Sequence, residues 1–173
     1  MKKLIYKLYV KLRRKSKNFT AGAVEFNQLL EHSSEILVLL PRSTEGYNGA
    51  IDFAVNLSKL GKKITVFLSS LINVNEIRYN DIKKFEYHDY EFTKSGIPRK
   101  MLVNRLKQKK YDLIIDLDRD DYSSVSLLTV YPVSVHRVGF RKLYSEKFYN
   151  FILAAGQDNA GNYDKLFELI KRI

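Results

Sequence analysis

The hydrophobic pattern changes period along the chain, and the changes mark the elements. At the start, Leu4, Leu8 and Leu12 recur every fourth residue with Ile5 and Tyr9 beside them, and lysines and arginines fill the positions between. That spacing predicts a helix with one apolar stripe and a basic remainder. A second short helix is expected over 22–31, with Phe26, Leu29 and Leu30 inward. From residue 35 the texture is different. EILVLL at 35–40 is a continuous apolar run closed by Pro41, too short for a helix and bounded by turn residues. It reads as a strand buried on both faces, as in a parallel sheet.

A loop at 42–48 leads to a helix ending near Leu60, with Ala50, Ile51, Ala54, Val55 and Leu57 on its apolar side and Gly61 as its stop. KITVFL at 63–68 is the next strand, so 35–68 form one β-α-β unit with a right-handed crossover expected. Further on, the pattern predicts a short helix within 71–80 and a weak strand at 83–87. It then gives a helix with Pro98 in its first turn running to about Lys109, and a strong strand at 111–117, YDLIIDL. A helix over 122–130, strands at 135–140 and 150–155, and a final helix capped by Asn162 complete the reading. Alternating strands and helices make this an α/β protein with a mostly parallel sheet.

The 173 residues suffice for a packed core, and the absence of cysteine excludes disulfides, thiolate metal sites and cysteine nucleophiles. Charge adds a division that the hydrophobic pattern does not show. Of 30 basic residues, eight fall in the first 18 positions with no acid among them: Lys2, Lys3, Lys7, Lys11, Arg13, Arg14, Lys15 and Lys17. The other 155 residues hold 22 basic and 19 acidic groups, a net of only +3. The expected organisation is therefore a basic amphipathic helical arm over 1–31 and an α/β domain over 32–173. The arm suits an anionic membrane surface, with Lys and Arg each adding about 1 kcal/mol near such a surface. Two alternatives stand beside it. In one the leucine stripe packs on the domain and the lysines are solvated; in the other the arm binds RNA, with Tyr6 and Tyr9 as its stacking rings. Charges run through the whole segment and no apolar run is long enough to span a bilayer, so neither a secretory signal nor a membrane span is expected. The expected location is cytoplasmic, peripheral at the inner face of the membrane.

Ligands of parallel α/β sheets bind at the carboxyl ends of the strands. The first such loop carries Ser43, Thr44, Gly46 and Gly49 ahead of a helix, the residue types that hold an anion, although it matches neither a dinucleotide fingerprint nor a P-loop. The second, Asp116-Leu117-Asp118-Arg119-Asp120-Asp121, offers carboxylates for a ligand or a Mg²⁺ ion; an ordinary helix cap by Asp120 or Asp121 is the plainer expectation, and no metal is assigned. Ser69-Ser70 reads as another cap. Arg137, Arg141 and Lys142 form a basic group that either meets a phosphate or is a solvated rim. His32, His88 and His136 lack metal-ligand spacing, and no nucleophile elbow or catalytic triad is present.

Tyr111-Asp112-Leu113-Ile114-Ile115-Asp116-Leu117, followed about twenty residues later by Arg137-Val138-Gly139-Phe140, resembles the first half of family 9 glycosyltransferases, the heptosyltransferase group, where a YDLVIDL strand precedes an R-I-G-F strand. Residues 35–46 resemble that family's opening strand and Ser-Ser-x-Gly loop, with Ser43, Thr44 and Gly46 at the matching positions; 162–173 resemble the helix that leads out of the N-terminal half. The resemblance implies a Rossmann-like domain, half of a GT-B fold, with Ser43, Thr44, Gly46, Asp116, Asp118 and Arg137 near a ligand. It also implies an acidic base directly after the loop glycine. This chain has Tyr47 there, with Glu45 the nearby carboxylate, and a tyrosine is a poor base at neutral pH. The family's second, nucleotide-sugar-binding half is not among these residues. The expectation is a non-catalytic or partner-dependent relative needing no cofactor, or else a transferase subunit whose donor half is a separate chain; the RNA- or ribosome-binding module is the third reading.

Overall fold

The computed structural model describes residues 2–12, 29–42, 46–72, 82–154 and 162–172. It contains helix α1 (Lys2–Leu12), strand β1 (Glu35–Leu39), α2 (Tyr47–Lys59), β2 (Lys63–Ser69), β3 (Ile82–Tyr87), α3 (Lys100–Lys107), β4 (Lys110–Asp116), β5 (Val133–Phe140), β6 (Phe151–Leu153) and α4 (Asn162–Arg172). The six strands form one sheet in the order β3-β2-β1-β4-β5-β6, and every neighbouring pair is parallel. That order defines a Rossmann-like α/β fold.

The unbroken apolar runs follow from burial on both faces. Ile36 and Val38 of β1, Ile64 and Val66 of β2, and Leu113 and Ile115 of β4 point to one side, where they meet α2 and Leu166 and Ile170 of α4. The alternate residues Leu37, Leu39, Phe67 and Ile114 point to the other, against Leu102 and Leu106 of α3. A third, smaller cluster joins Tyr6 and Val10 of α1 to Leu127, Phe148 and Tyr149.

Several expectations change. Pro98 lies outside α3: its backbone bridges to Phe92, and Arg99, in extended conformation, begins the helix. Residues 92–98 instead make a tight turn closed by Gly96 at φ 78°. The helix expected over 122–130 is a single 3₁₀ turn, Ser126–Leu128. Its serines explain this. The Ser123 hydroxyl accepts the N–H groups of Val125 and Ser126, an alternative to helical bonding that serine offers readily. The final strand is three residues long. Leu29 and Leu30 are buried in a turn, while the rest of the helix expected around them, and the one expected within 71–80, lie almost wholly outside the described residues.

Candidate functional site

In the order β3-β2-β1-β4-β5-β6, the chain leaves β1 and β4 toward opposite edges of the sheet, so the crevice beyond their carboxyl ends is the topological switch point where such folds bind ligands. Two structures occupy it: a closed polar cluster at the end of β4, and an open cavity beside it.

The cluster is built around the carboxylate at the last position of β4. Asp116 is fully buried, and its Oδ2 accepts from the ammonium of Lys142 at 3.1 Å and from the Tyr149 hydroxyl at 2.5 Å. Its Oδ1 accepts the Asp118 N–H at 2.9 Å. Asp118 in turn accepts the N–H of Asp120 (2.9 Å) and the hydroxyl of Ser123 (2.8 Å). Lys142 Nζ also donates to the Asp118 carbonyl (2.6 Å) and to the Ser126 hydroxyl, so all three of its donors are used. Burial, and then the Asp116 carboxylate, push the Asp118 carboxyl above its usual range, with Lys142 opposing them. Burial and Asp116 likewise hold the Tyr149 hydroxyl well above its ordinary value, which keeps it a donor.

This arrangement ties the end of β4, the turn through 118–126 and the exit from β5 into one knot. The ammonium stands where a cation would be held, and among the described residues no group of three or more His, Asp or Glu side chains is arranged to hold a metal ion. The solvated rim expected at Arg137, Arg141 and Lys142 is thus corrected for two of the three. Only Arg141 is exposed. Lys142 turns inward, and Arg137, paired in register with Ile114, is buried and donates to the Pro132 carbonyl. Burial lowers the Arg137 guanidinium's affinity for its proton. Nor do Asp120 and Asp121 cap a helix: the Asp120 carbonyl accepts the Ser123 N–H, and Asp121 Oδ1 accepts the Leu143 N–H at 2.8 Å. Ser69 makes a local turn bond to the Leu71 N–H, and Ser70 bonds the His88 ring.

In the first loop, Ser43, Thr44 and Glu45 lie outside the described residues. Gly46 has φ 79° at the entry to α2, and the Tyr163 ring lies against Gly46 and Gly49, where a Cβ would crowd it. Tyr163 donates to the Leu117 carbonyl at 3.0 Å. Arg119 stacks on Tyr163 and on Phe140. The close approach that these glycines permit is therefore used by a ring from α4. Tyr47, the first residue of α2, is buried in the core cluster that also holds Tyr163, Leu166 and Ile170 of α4.

The cavity beside the cluster measures about 470 Å³. Its walls include Lys3 and Tyr6 of α1, Arg42 after β1, Asp89 after β3, Lys94 in the tight turn, and Tyr122. The sequence expectations missed Asp89, Lys94 and Tyr122, along with the inward turn of Lys142 and the role of Tyr149. No periodicity distinguishes a buried lysine from a solvated one, and the 92–98 turn that carries Lys94 was hidden within an expected approach to a helix.

α1 forms one side of the cavity. Tyr6 (2% exposed) and Val10 (1%) pack on the domain, the Tyr6 hydroxyl donates to the Ser123 carbonyl, and Lys147 caps the helix by donating to the carbonyls of Val10 and Lys11. The leucine stripe faces away from that contact: Leu4 is 71% exposed and Leu8 57%. The alternative in which the leucine stripe packs on the domain is thereby corrected; the opposite face docks. Arg13, Arg14, Lys15 and Lys17 lie outside the described residues, and among those residues no helix is long and apolar enough to cross a membrane. No protein-family model, curated protein or solved structure matches this chain.

Proposed function

We propose that this protein is a Rossmann-like module related to the acceptor half of family 9 glycosyltransferases, without transferase activity unless a partner chain supplies it. In this reading it works in saccharide assembly at the anionic, cytoplasmic surface of a membrane. The observation that carries the surface reading is the orientation of α1. Its docked face is Tyr6 and Val10, which leaves Leu4, Ile5 and Leu8 outward with Lys11 beside them. An exposed apolar stripe edged by lysines is what an interfacial helix requires, and here the opposite face of the helix packs on the domain behind it. The two rings that the RNA reading would use are engaged elsewhere: Tyr6 is buried, and the Tyr9 hydroxyl bonds that of Tyr131 at 2.7 Å.

Two features support the non-catalytic part. The position after the loop glycine is a tyrosine buried in the core, and the carboxylates at the end of β4 are saturated by internal donors. The test is flotation on phosphatidylglycerol-containing vesicles at low and moderate salt. Wild type is expected to float. Leu4→Ser and Leu8→Ser, which alter exposed side chains and leave the fold intact, are each expected to weaken binding by about tenfold or more, given the transfer energy of a leucine. Absence of flotation even at low salt defeats the surface reading. Transfer from a nucleotide sugar by the purified chain alone defeats the non-catalytic one.

A further inference from the structure

We infer that the cavity at the β1–β4 switch point is a binding site for a phosphate monoester. Three cations reach it from distant parts of the chain: Lys3 on α1, Arg42 after β1 and Lys94 in the 92–98 turn. Among the described residues that line it the only acid is Asp89, which is already engaged by Arg42 at 2.8 Å, so the described lining carries an excess of two positive charges. Lys3 and Lys94 form no salt bridge with a described residue. Ring faces hold two of the cations in place: Lys3 lies 5.2 Å from the centroid of Tyr122, and Arg42 lies 5.8 Å from that of Phe92. Thr93, Ser95 and Ser124, each of which carries a hydroxyl, line the same wall.

A monoester phosphate carries about −1.5 to −2 charges at neutral pH on three acceptor oxygens, which matches several cations and hydroxyl donors better than a single carboxylate does. At about 470 Å³ the cavity also leaves room for the organic part of the ester, beside the Phe92 and Tyr122 rings. A phosphate held between Lys3, Arg42 and Lys94 ties α1 to the sheet, so occupancy and docking of α1 reinforce one another.

The ester can come from solution or from a lipid headgroup, and the experiment separates these sources. The full chain is titrated with glycerol 3-phosphate by calorimetry. In parallel it is floated on vesicles containing phosphatidate or, at matched surface charge, phosphatidylglycerol. Saturable binding of glycerol 3-phosphate that Lys94→Ala and Arg42→Ala each weaken by about tenfold supports a soluble ester, since each variant removes a charge-assisted bond. Preference for phosphatidate over phosphatidylglycerol, lost in the same variants, supports a headgroup. Binding of neither, or binding that both variants leave unchanged, overturns the inference. It goes beyond the membrane reading and fails separately from it, because flotation on phosphatidylglycerol depends on Leu4 and Leu8 and is expected to survive Lys94→Ala.

Discussion

The side chain of Lys142 is 1% exposed, and its partner Asp116 is wholly enclosed. Two opposite charges withdrawn from water at this depth gain little as a pair over an apolar filling, but removing one of them strands the other. Lys142→Met is therefore expected to destabilise the fold by about 3–5 kcal/mol. Adding Asp116→Asn to it restores part of that loss: the amide oxygen still accepts the Asp118 N–H, the amide nitrogen in place of Oδ2 donates to the Tyr149 oxygen once that hydroxyl turns, and the unpaired charge is gone. Urea denaturation of the two variants measures both effects. A Lys142→Met protein as stable as wild type would show that the knot does not hold the end of β4. The neighbouring glycine has a related role. In β5, Gly139 lies directly under the Tyr149 ring, so that any Cβ there must displace the ring that bonds Asp116. Neither fact is visible in the sequence. A lysine in a run of basic residues and a glycine in a strand look the same whether they are buried around a carboxylate or standing in solvent.

At the scale of elements, legibility followed burial. The strands β1, β2 and β4 were readable because a parallel sheet covered on both faces demands uninterrupted apolar residues, and EILVL, KITVFLS and KYDLIID supply them. The turn at 126–128 was not readable, because serine hydroxyls took over backbone N–H groups that a helix would have used. α1 was readable as a helix, but its docking face was not. It is apolar on two sides, and the stronger repeat, that of the leucines, is the one that stays outside. An 11-residue helix is marginal alone in water, so α1 owes its order to Tyr6 and Val10. Tyr6→Ala is expected to cost about 3–5 kcal/mol in docking and to speed hydrogen exchange of the α1 amides, whereas Leu8→Ser leaves that exchange unchanged. Equal protection of α1 in wild type and Tyr6→Ala would mean that the contacts to Leu127 and Phe148 do not order it.

For the whole molecule, the pH dependence of stability is a balance of groups at both ends of the sheet, and their signs differ. At the amino end, burial of Asp112 is outweighed by the N–H groups of Glu35 and Ser34 and the Ser34 hydroxyl, which bring its carboxyl below the ordinary 3.8. A depressed folded value means that the unfolded chain takes up the proton first. Asp112 therefore contributes its stabilisation above 3.8, and the contribution is lost as pH falls through the folded value. His136 of β5 is lowered from 6.5, by burial first and by His32 in addition, against the pull of Asp112. It too disfavours acid: the unfolded chain protonates near 6.5 while the folded one resists, so stability declines as pH drops below that value. At the carboxyl end Asp118 works in the opposite sense. Its raised carboxyl holds a proton more tightly when folded, so stability declines as pH rises from 3.8 through the folded value. Three variants separate these contributions in urea midpoints taken from about pH 3 to about pH 7.5. Asp112→Asn falls below wild type at neutral pH and converges with it in acid. His136→Gln flattens the decline below 6.5. Asp118→Asn gains on wild type as pH rises above 3.8. An Asp118→Asn protein that instead loses ground with rising pH would mean that the bonds from Asp120 and Ser123 outweigh burial, and that the knot at the end of β4 favours the charged carboxylate after all.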